Sequence, residues 1–292
     1  MSVSNKRLPI FHAGALTATM ARVNAEFVRE HPDVQILPEP AGSADAVRRI
    51  TEQKRECGIL ASADYKLISK MMFPDFADWY LIFASDEIVL CYSDKSKHRN
   101  EINVDNWYEI MLRQGVTYGL HDPQQDPGGY RALMVWQLAE RFYKLPGLYE
   151  RLLKSPGYGI FQGNLIALCE SGKLDYTFSY RSVAVQNHAR YLVLPDSINL
   201  ATREFEAFYR QAQVKIRGSK AGETVSIDGE PVLFALTIPK NFSEQATAAS
   251  WVDFLLGNQG ISIMESMGMK TCRPAITNDA RRLPQALRRY VE

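Results

Sequence analysis

The stretch Leu8-Pro9-Ile10-Phe11-His12-Ala13-Gly14-Ala15-Leu16-Thr17 runs from an apolar strand through a glycine into a helix. The helix is read from Leu16, Met20, Val23 and Phe27, which recur at spacings of three and four before Pro32. The same order returns at once. Val34 to Leu37 reads as a strand, Gly42 follows, and Ser43 is the expected N-cap of a helix that buries Val47 and Ile50. Gly58-Ile59-Leu60-Ala61 supplies a third strand. Strands alternating with helices of this length predict parallel crossovers and an α/β sheet, whose ligands sit outside the carboxyl ends of the strands. Both glycine turns lie at such ends. A helix start presents backbone N–H groups without intrahelical partners, and the peptide dipoles add partial positive charge there. Gly14, Ala15 and Leu16 at the first turn, with Gly42 and Ser43 at the second, are therefore candidates for holding one oxyanion without Lys or Arg. A tight turn alone also explains a strand, glycine and helix in series.

Composition narrows the partners. With 34 Lys and Arg against 33 Asp and Glu, the formal charge of +1 gives no basic field for nucleic acid and no polybasic patch for acidic lipid. Cys57, Cys91, Cys169 and Cys272 lie far apart and form no pair with metal-ligand spacing, so they read as buried structural thiols. None of the five histidines sits in a metalloprotease-like helical pair, and no metal or cofactor is expected. The opening Met1-Ser2-Val3-Ser4-Asn5-Lys6-Arg7 holds no apolar signal core, and no run of about 18 apolar residues follows.

The 292 residues exceed the usual single-domain size of roughly 100–150, which predicts two lobes. Trp79 to Ala84 and Ile88 to Tyr92 both have strand character, and a hinge is placed near residue 85. Beyond it, Thr117-Tyr118-Gly119-Leu120 leads to a helix with Asp126 as N-cap, Pro127 as first helical residue and Leu133, Met134, Leu138 and Phe142 on one face. A shorter helix over Leu165, Ile166 and Leu168 turns at Gly172 into the strand Tyr176 to Tyr180. Asn187 to Pro195 is the expected second crossing, making residues 1–85 and 195–292 one discontinuous lobe and 86–194 the other. A hairpin of Val214–Arg217 with Val225–Ile227, a strand Val232–Ile238 and a helix Ser243–Leu256 complete the chain.

Several of these motifs together resemble the archaeal-type tungstate/molybdate-binding proteins of ABC transporters. The residues that carry the resemblance are Phe11-His12-Ala13-Gly14, Ala41-Gly42-Ser43, Leu60-Ala61-Ser62-Ala63-Asp64-Tyr65, Asp78-Trp79-Tyr80 and Asp94-Lys95-Ser96-Lys97. It continues through Asp126-Pro127, Gly129-Tyr130-Arg131, Leu174-Asp175-Tyr176 and Tyr180-Arg181-Ser182-Val183-Ala184. The resemblance implies a bilobal periplasmic-binding-protein-like α/β fold, joined by a two-segment hinge and closing on a tetrahedral oxyanion in the cleft. It also implies delivery to an ABC transporter permease, a periplasmic or membrane-anchored extracellular location and a monomeric working unit. Four positions carry its site over: Ala15 and Ser43 where the family has hydroxyls, Asp126 and Ser179 where it has carboxylates. Only Ser43 and Asp126 keep those residue types, and Asp126 is the possible ligand to the molybdenum or tungsten of the bound anion.

A carboxylate beside a dianion repels it unless it coordinates the central atom or is protonated. Ser179 in place of the family's glutamate therefore points to four-coordinate, hydrogen-bonded recognition, with Tyr180 adding a hydroxyl. His121, Asp122 and Asp126 invite a catalytic reading, but no nucleophile–base pair, phosphate loop or cofactor fingerprint stands out, and no catalytic residue is assigned. Arg131 and Arg181 read as hinge or lobe-interface residues. The alternatives are a same-fold binding protein for another small anion or organic acid, and a cytosolic sensor acting on a protein partner.

Overall fold

A computed structural model describes residues 6–218 and 222–291; Met1–Asn5, part of the opening stretch that holds no apolar signal core, lie outside them. Among the described residues the strands are β1 Lys6–Ala13, β2 Val34–Ala41, β3 Ile59–Ser62, β4 Leu81–Asp86, β5 Ile88–Tyr92, β6 Tyr118–Leu120 and β7 Tyr158–Ile160. They continue as β8 Tyr176–Tyr180, β9 Arg190–Val193, β10 Gln213–Arg217, β11 Thr224–Asp228, β12 Val232–Thr237 and β13 Lys270–Thr277. Contacts divide the chain into two compact units, the first of Met1–Ser85, Arg217–Val225 and Leu233–Glu292, the second of Asp86–Ile216 and Ser226–Val232. Each is an α/β unit with its own mixed sheet, and β10 pairs with β11 in a separate two-stranded ribbon.

The sheet of the first unit runs β13-β4-β12-β3-β1-β2. β1 has β2 on one side and β3 on the other, both parallel to it, while β12 runs antiparallel to β3. A strand flanked in this way is covered on both faces, and β1 is buried from Leu8 to its end. The Thr17–Glu30 helix buries Met20, Val23 and Phe27 against it, at the spacing that the sequence predicts. The helix expected from Ser243 begins at Gln245, and its Trp251 indole N–H donates to Asn24 Oδ1 at 2.9 Å. β2 is longer than expected because it passes through Pro38 and Pro40. It is the edge strand, so the N–H groups that these prolines lack fall on the open side of the sheet.

The second unit orders its strands β7-β6-β8-β5-β9. β6 is parallel to β7 and to β8, and β5 is antiparallel to β8 and β9. Trp107, Trp136 and Phe178 form its aromatic core, with both indoles set edge-on to the phenyl ring at 5.6 and 5.9 Å. The second crossing does not lie at Asn187–Pro195. β9 falls inside that segment and pairs with β5; the Asn199 carbonyl then accepts from Ile88 N–H, and its amide donates to Glu87 Oε2 at 3.1 Å. These bonds keep the chain with the second unit as far as Ile216.

Asp86, the first residue of the second unit, is an acid in a buried place. It accepts from the Glu87 amide at 2.8 Å and from the Ser182 amide at 3.3 Å, yet burial outweighs both bonds and pushes its pKa up to about 6. The native protein then holds this proton more tightly than the unfolded chain does, so stability falls as pH rises from about 4 through 6. Asp86→Asn removes the titration. Between pH 4 and 7.5 the wild type should lose about 2–3 kcal/mol relative to Asp86→Asn in urea unfolding, a shift of about two pKa units. Parallel pH profiles for the two proteins would refute the assignment.

Candidate functional site

The parallel strands of the first unit end beside one another. Ala13 at the end of β1 is in register with Ala41 at the end of β2, and His12 is in register with Ala61 of β3. Gly14, Gly42 and the turn at Ala63 thus leave neighbouring strands on one edge of the sheet. The connection from β1 goes to one side and returns to the other, and the crevice outside such a reversal is where an α/β sheet has room for a ligand.

The three turns at this edge are closed to different degrees. Gly14–Leu16 forms a 3-10 turn ahead of the Thr17–Glu30 helix, and no side chain caps it. Thr17 Oγ1 turns back to the Gly14 carbonyl at 2.8 Å, and Ala15 brings no hydroxyl. At the second turn Gly42, in extended conformation, is the N-cap, and Ser43 is the first helical residue, which corrects the expectation that Ser43 caps the helix. Its buried hydroxyl reaches sideways and accepts from the Ala63 amide at 3.0 Å. A serine so engaged leaves the amides of its own helix start uncapped, and its proton remains to be donated. The third turn is stapled shut. Ser62 Oγ donates to the Asp64 carbonyl at 2.7 Å and accepts from the Asp64 amide at 3.0 Å, while the Asp64 carboxylate caps Lys66 N–H at 2.9 Å. Beside these turns His12 is buried with Nδ1 3.0 Å from the Ala13 carbonyl, and burial drives its pKa down. A neutral imidazole adds no charge here.

The second unit uses the same topology, with β6 between β7 and β8. Asp126 follows β6, and Ser179 and Tyr180 end β8. Asp126 is the N-cap of the Pro127–Phe142 helix, its Oδ1 accepting from the Gly128 amide at 2.7 Å. A Cβ on Gly128 would lie 2.9 Å from Asp126 Oδ1 and 3.6 Å from Tyr180 Cε2, so the carboxylate and the phenol ring converge on one helix start. At Gly129 a Cβ would come within 2.3 Å of the His121 carbonyl oxygen, and the helix reaches this position only because glycine has none. Ser179 is half-buried, in register with Val89. Tyr180 is 3% exposed, and its hydroxyl accepts from Arg131 Nη1 at 3.0 Å. Arg131, read from sequence as a hinge or interface residue, is instead a partner of a candidate site residue. Its place five residues beyond Asp126, behind a glycine pair, was the available signal.

Neighbouring groups are otherwise engaged. Asp122 accepts from Gln124 N–H and from the Gln125 side-chain amide, both at 2.9 Å, and so ties down its own loop. Burial pushes the Cys57 and Cys169 thiols up to about 12, which leaves them protonated and unreactive at neutral pH. Among the described residues no group of three or more His, Cys, Asp or Glu could hold a metal ion, and no helix is long and apolar enough to cross a membrane.

Known proteins with the same pattern are binding proteins. A Petrotoga mobilis solute-binding protein is 40% identical over 286 residues, covering 97% of this chain and 89% of its own length. The molybdate/tungstate-binding protein WtpA of Pyrococcus abyssi is 34% identical over 287 residues, covering 88% and 82%. Among solved structures, the periplasmic molybdate-binding protein of Azotobacter vinelandii matches with a TM-score of 0.63 at 16% identity, over 90% of this chain and 98% of that one. The sulfate-binding protein SubI of Mycobacterium tuberculosis matches with a TM-score of 0.60 at 12% identity, over 92% and 88%. These structures share the α/β fold of periplasmic binding proteins. The family model for bacterial extracellular solute-binding proteins matches residues 8–270, and the chain belongs to that family, one of transport receptors and not of enzymes.

Proposed function

We propose that this solute-binding protein is the receptor for a tetrahedral oxyanion, molybdate or tungstate, which it delivers to the permease of an ABC importer outside the cytoplasm. The observation that carries the reading is the pair of uncapped helix starts at Gly14 and Ser43, adjacent at a topological reversal in a chain with no net charge to speak of. The name of the Pyrococcus abyssi relative favours these two anions among those of similar shape. In this reading Gly14, Ala15, Leu16, Gly42 and Ser43 supply backbone and hydroxyl donors from the first unit. Ser179 and Tyr180 contribute hydroxyls from the second, with the Asp126 carboxylate beside them. An anion bonded by both units favours the arrangement that lets both reach it, by as much as its affinity for that arrangement exceeds its affinity for others.

Enough donors are present for tight binding. Nanomolar affinity is about −12 kcal/mol, and hydrogen bonds to a charged group give about 1.5–3 kcal/mol each, so roughly five to eight are needed before the costs of association. Amides at the two helix starts and the hydroxyls of Ser43, Ser179 and Tyr180 reach that range. A second reading, a receptor for another small anion or organic acid, is favoured by Ala15 and Ser179, which together remove a hydroxyl and a carboxylate that the resemblance implies.

Titration calorimetry of ligand-stripped protein with tungstate, molybdate, sulfate and phosphate separates these readings. The expected outcome is heat and thermal stabilisation with tungstate and molybdate; a response to none of the four sinks the oxyanion proposal. X-ray absorption of the tungstate complex should show four oxygen neighbours, because Ser179 supplies no carboxylate, and six would overturn four-coordinate binding. Asp126→Asn tests the remaining carboxylate. Asn caps a helix as well as Asp does, so the melting temperature should stay within about 2 °C, while Asp126→Ala loses about 1 kcal/mol and about 2–4 °C. Tungstate affinity of Asp126→Asn should rise several-fold as repulsion is relieved, and a loss would assign Asp126 to the metal.

A further inference from the structure

We infer that Arg131 is a positioning residue for anion recognition, fixing the Tyr180 hydroxyl as a hydrogen-bond donor toward the ligand. This rests on the oxyanion reading and adds a residue to it. A guanidinium has donors and no acceptor, so in the 3.0 Å bond from Arg131 Nη1 the Tyr180 oxygen must accept. The phenolic proton is thereby turned off the Arg131 axis. Accepting from a cation also polarises the O–H, which makes it a better donor.

The arrangement is rigid. Arg131 is 2% and Tyr180 3% exposed, so water does not compete for the bond. The Tyr180 ring lies against the Gly128 helix start, where a Cβ would be 3.6 Å from Cε2, and the guanidinium carbon is 5.9 Å from the ring centroid. A tyrosine hydroxyl without such a partner can donate or accept, and suits a protonated ligand as readily as a bare oxygen. Held by Arg131, it suits acceptors. The ligand class that follows is a fully deprotonated oxyanion at the oxygen facing Tyr180. The Ser43 hydroxyl is committed in the same sense by the Ala63 amide.

A double-mutant cycle on the full chain, titrated with sodium tungstate, tests this. Arg131→Met and Tyr180→Phe should each weaken binding by about tenfold, the loss of one hydrogen bond to a charged ligand. The double variant should be no more than about threefold weaker than either single one, and Arg131→Lys should recover most of the loss. Multiplying losses, or full affinity in Arg131→Met, would overturn the inference. If Arg131→Met fails to fold, Arg131→Gln, which also removes the charge, takes its place in the cycle on the same criterion. Multiplying losses in a wild type that binds tungstate overturn the inference alone, whereas no tungstate binding by the wild type overturns the oxyanion reading and the inference with it.

Discussion

An amide at the start of a helix has no carbonyl behind it, and everything in the first unit that concerns an anion follows from where those amides lie. Their position is set by strand register. Because Ala13 sits opposite Ala41, the two glycine turns emerge level with each other; a slip of one residue would turn the buried side chains of β2 to the other face and separate the turns. What happens at each turn is then decided by one small side chain. Asp64 caps its helix and closes the third turn, whereas Ser43 bonds across to Ala63 and leaves the second turn's amides without a side-chain cap. Ala15 does neither.

The second unit solves the same problem with different residues. A central strand flanked by parallel neighbours again sends a helix out from its carboxyl end, but here the first helical turn is capped by its own aspartate. Capping removes amides from the set open to an anion and replaces them with a carboxylate. The hydroxyl at the end of the adjacent strand β8 is held by an arginine from the capped helix. Asp126, Gly128, Arg131 and Tyr180 therefore work as one piece, because the helix start that positions the carboxylate also carries the guanidinium that orients the phenol.

Much of this is legible in the chain. Apolar spacing marks the Thr17–Glu30 helix, and the order Asp126-Pro127 marks both a helix start and a cap, because a carboxylate acceptor followed by a residue without N–H fits only one place in a helix. The parts that were not legible depend on neighbours distant in sequence. Pro38 and Pro40 argue against a strand until β2 is known to lie at a sheet edge. Ser43 looks like a cap because serine usually is one; only the approach of Ala63 gives its hydroxyl another partner. The segment Asn187–Pro195 reads as a crossing only because a two-lobed chain needs a return segment; its apolar Tyr191-Leu192-Val193 lies in β9. It stays in the second unit through β9 and Asn199, bonds that no local pattern announces.

Position 179 shows how far one side chain can change the chemistry of a fixed scaffold. A carboxylate only accepts, so at the end of β8 it has something to offer an oxyanion only by reaching past the oxygens to the central atom. A serine at the same place donates. Asp126 keeps its carboxylate, one oxygen of which is already held by Gly128 N–H at 2.7 Å. The balance at this strand end shifts from acceptors to donors, with Arg131 enforcing the same polarity on Tyr180. Under the oxyanion proposal, a surface arranged in that way would recognise the outer oxygens of its ligand rather than the atom inside them, and would treat alike any dianion of the same size and shape.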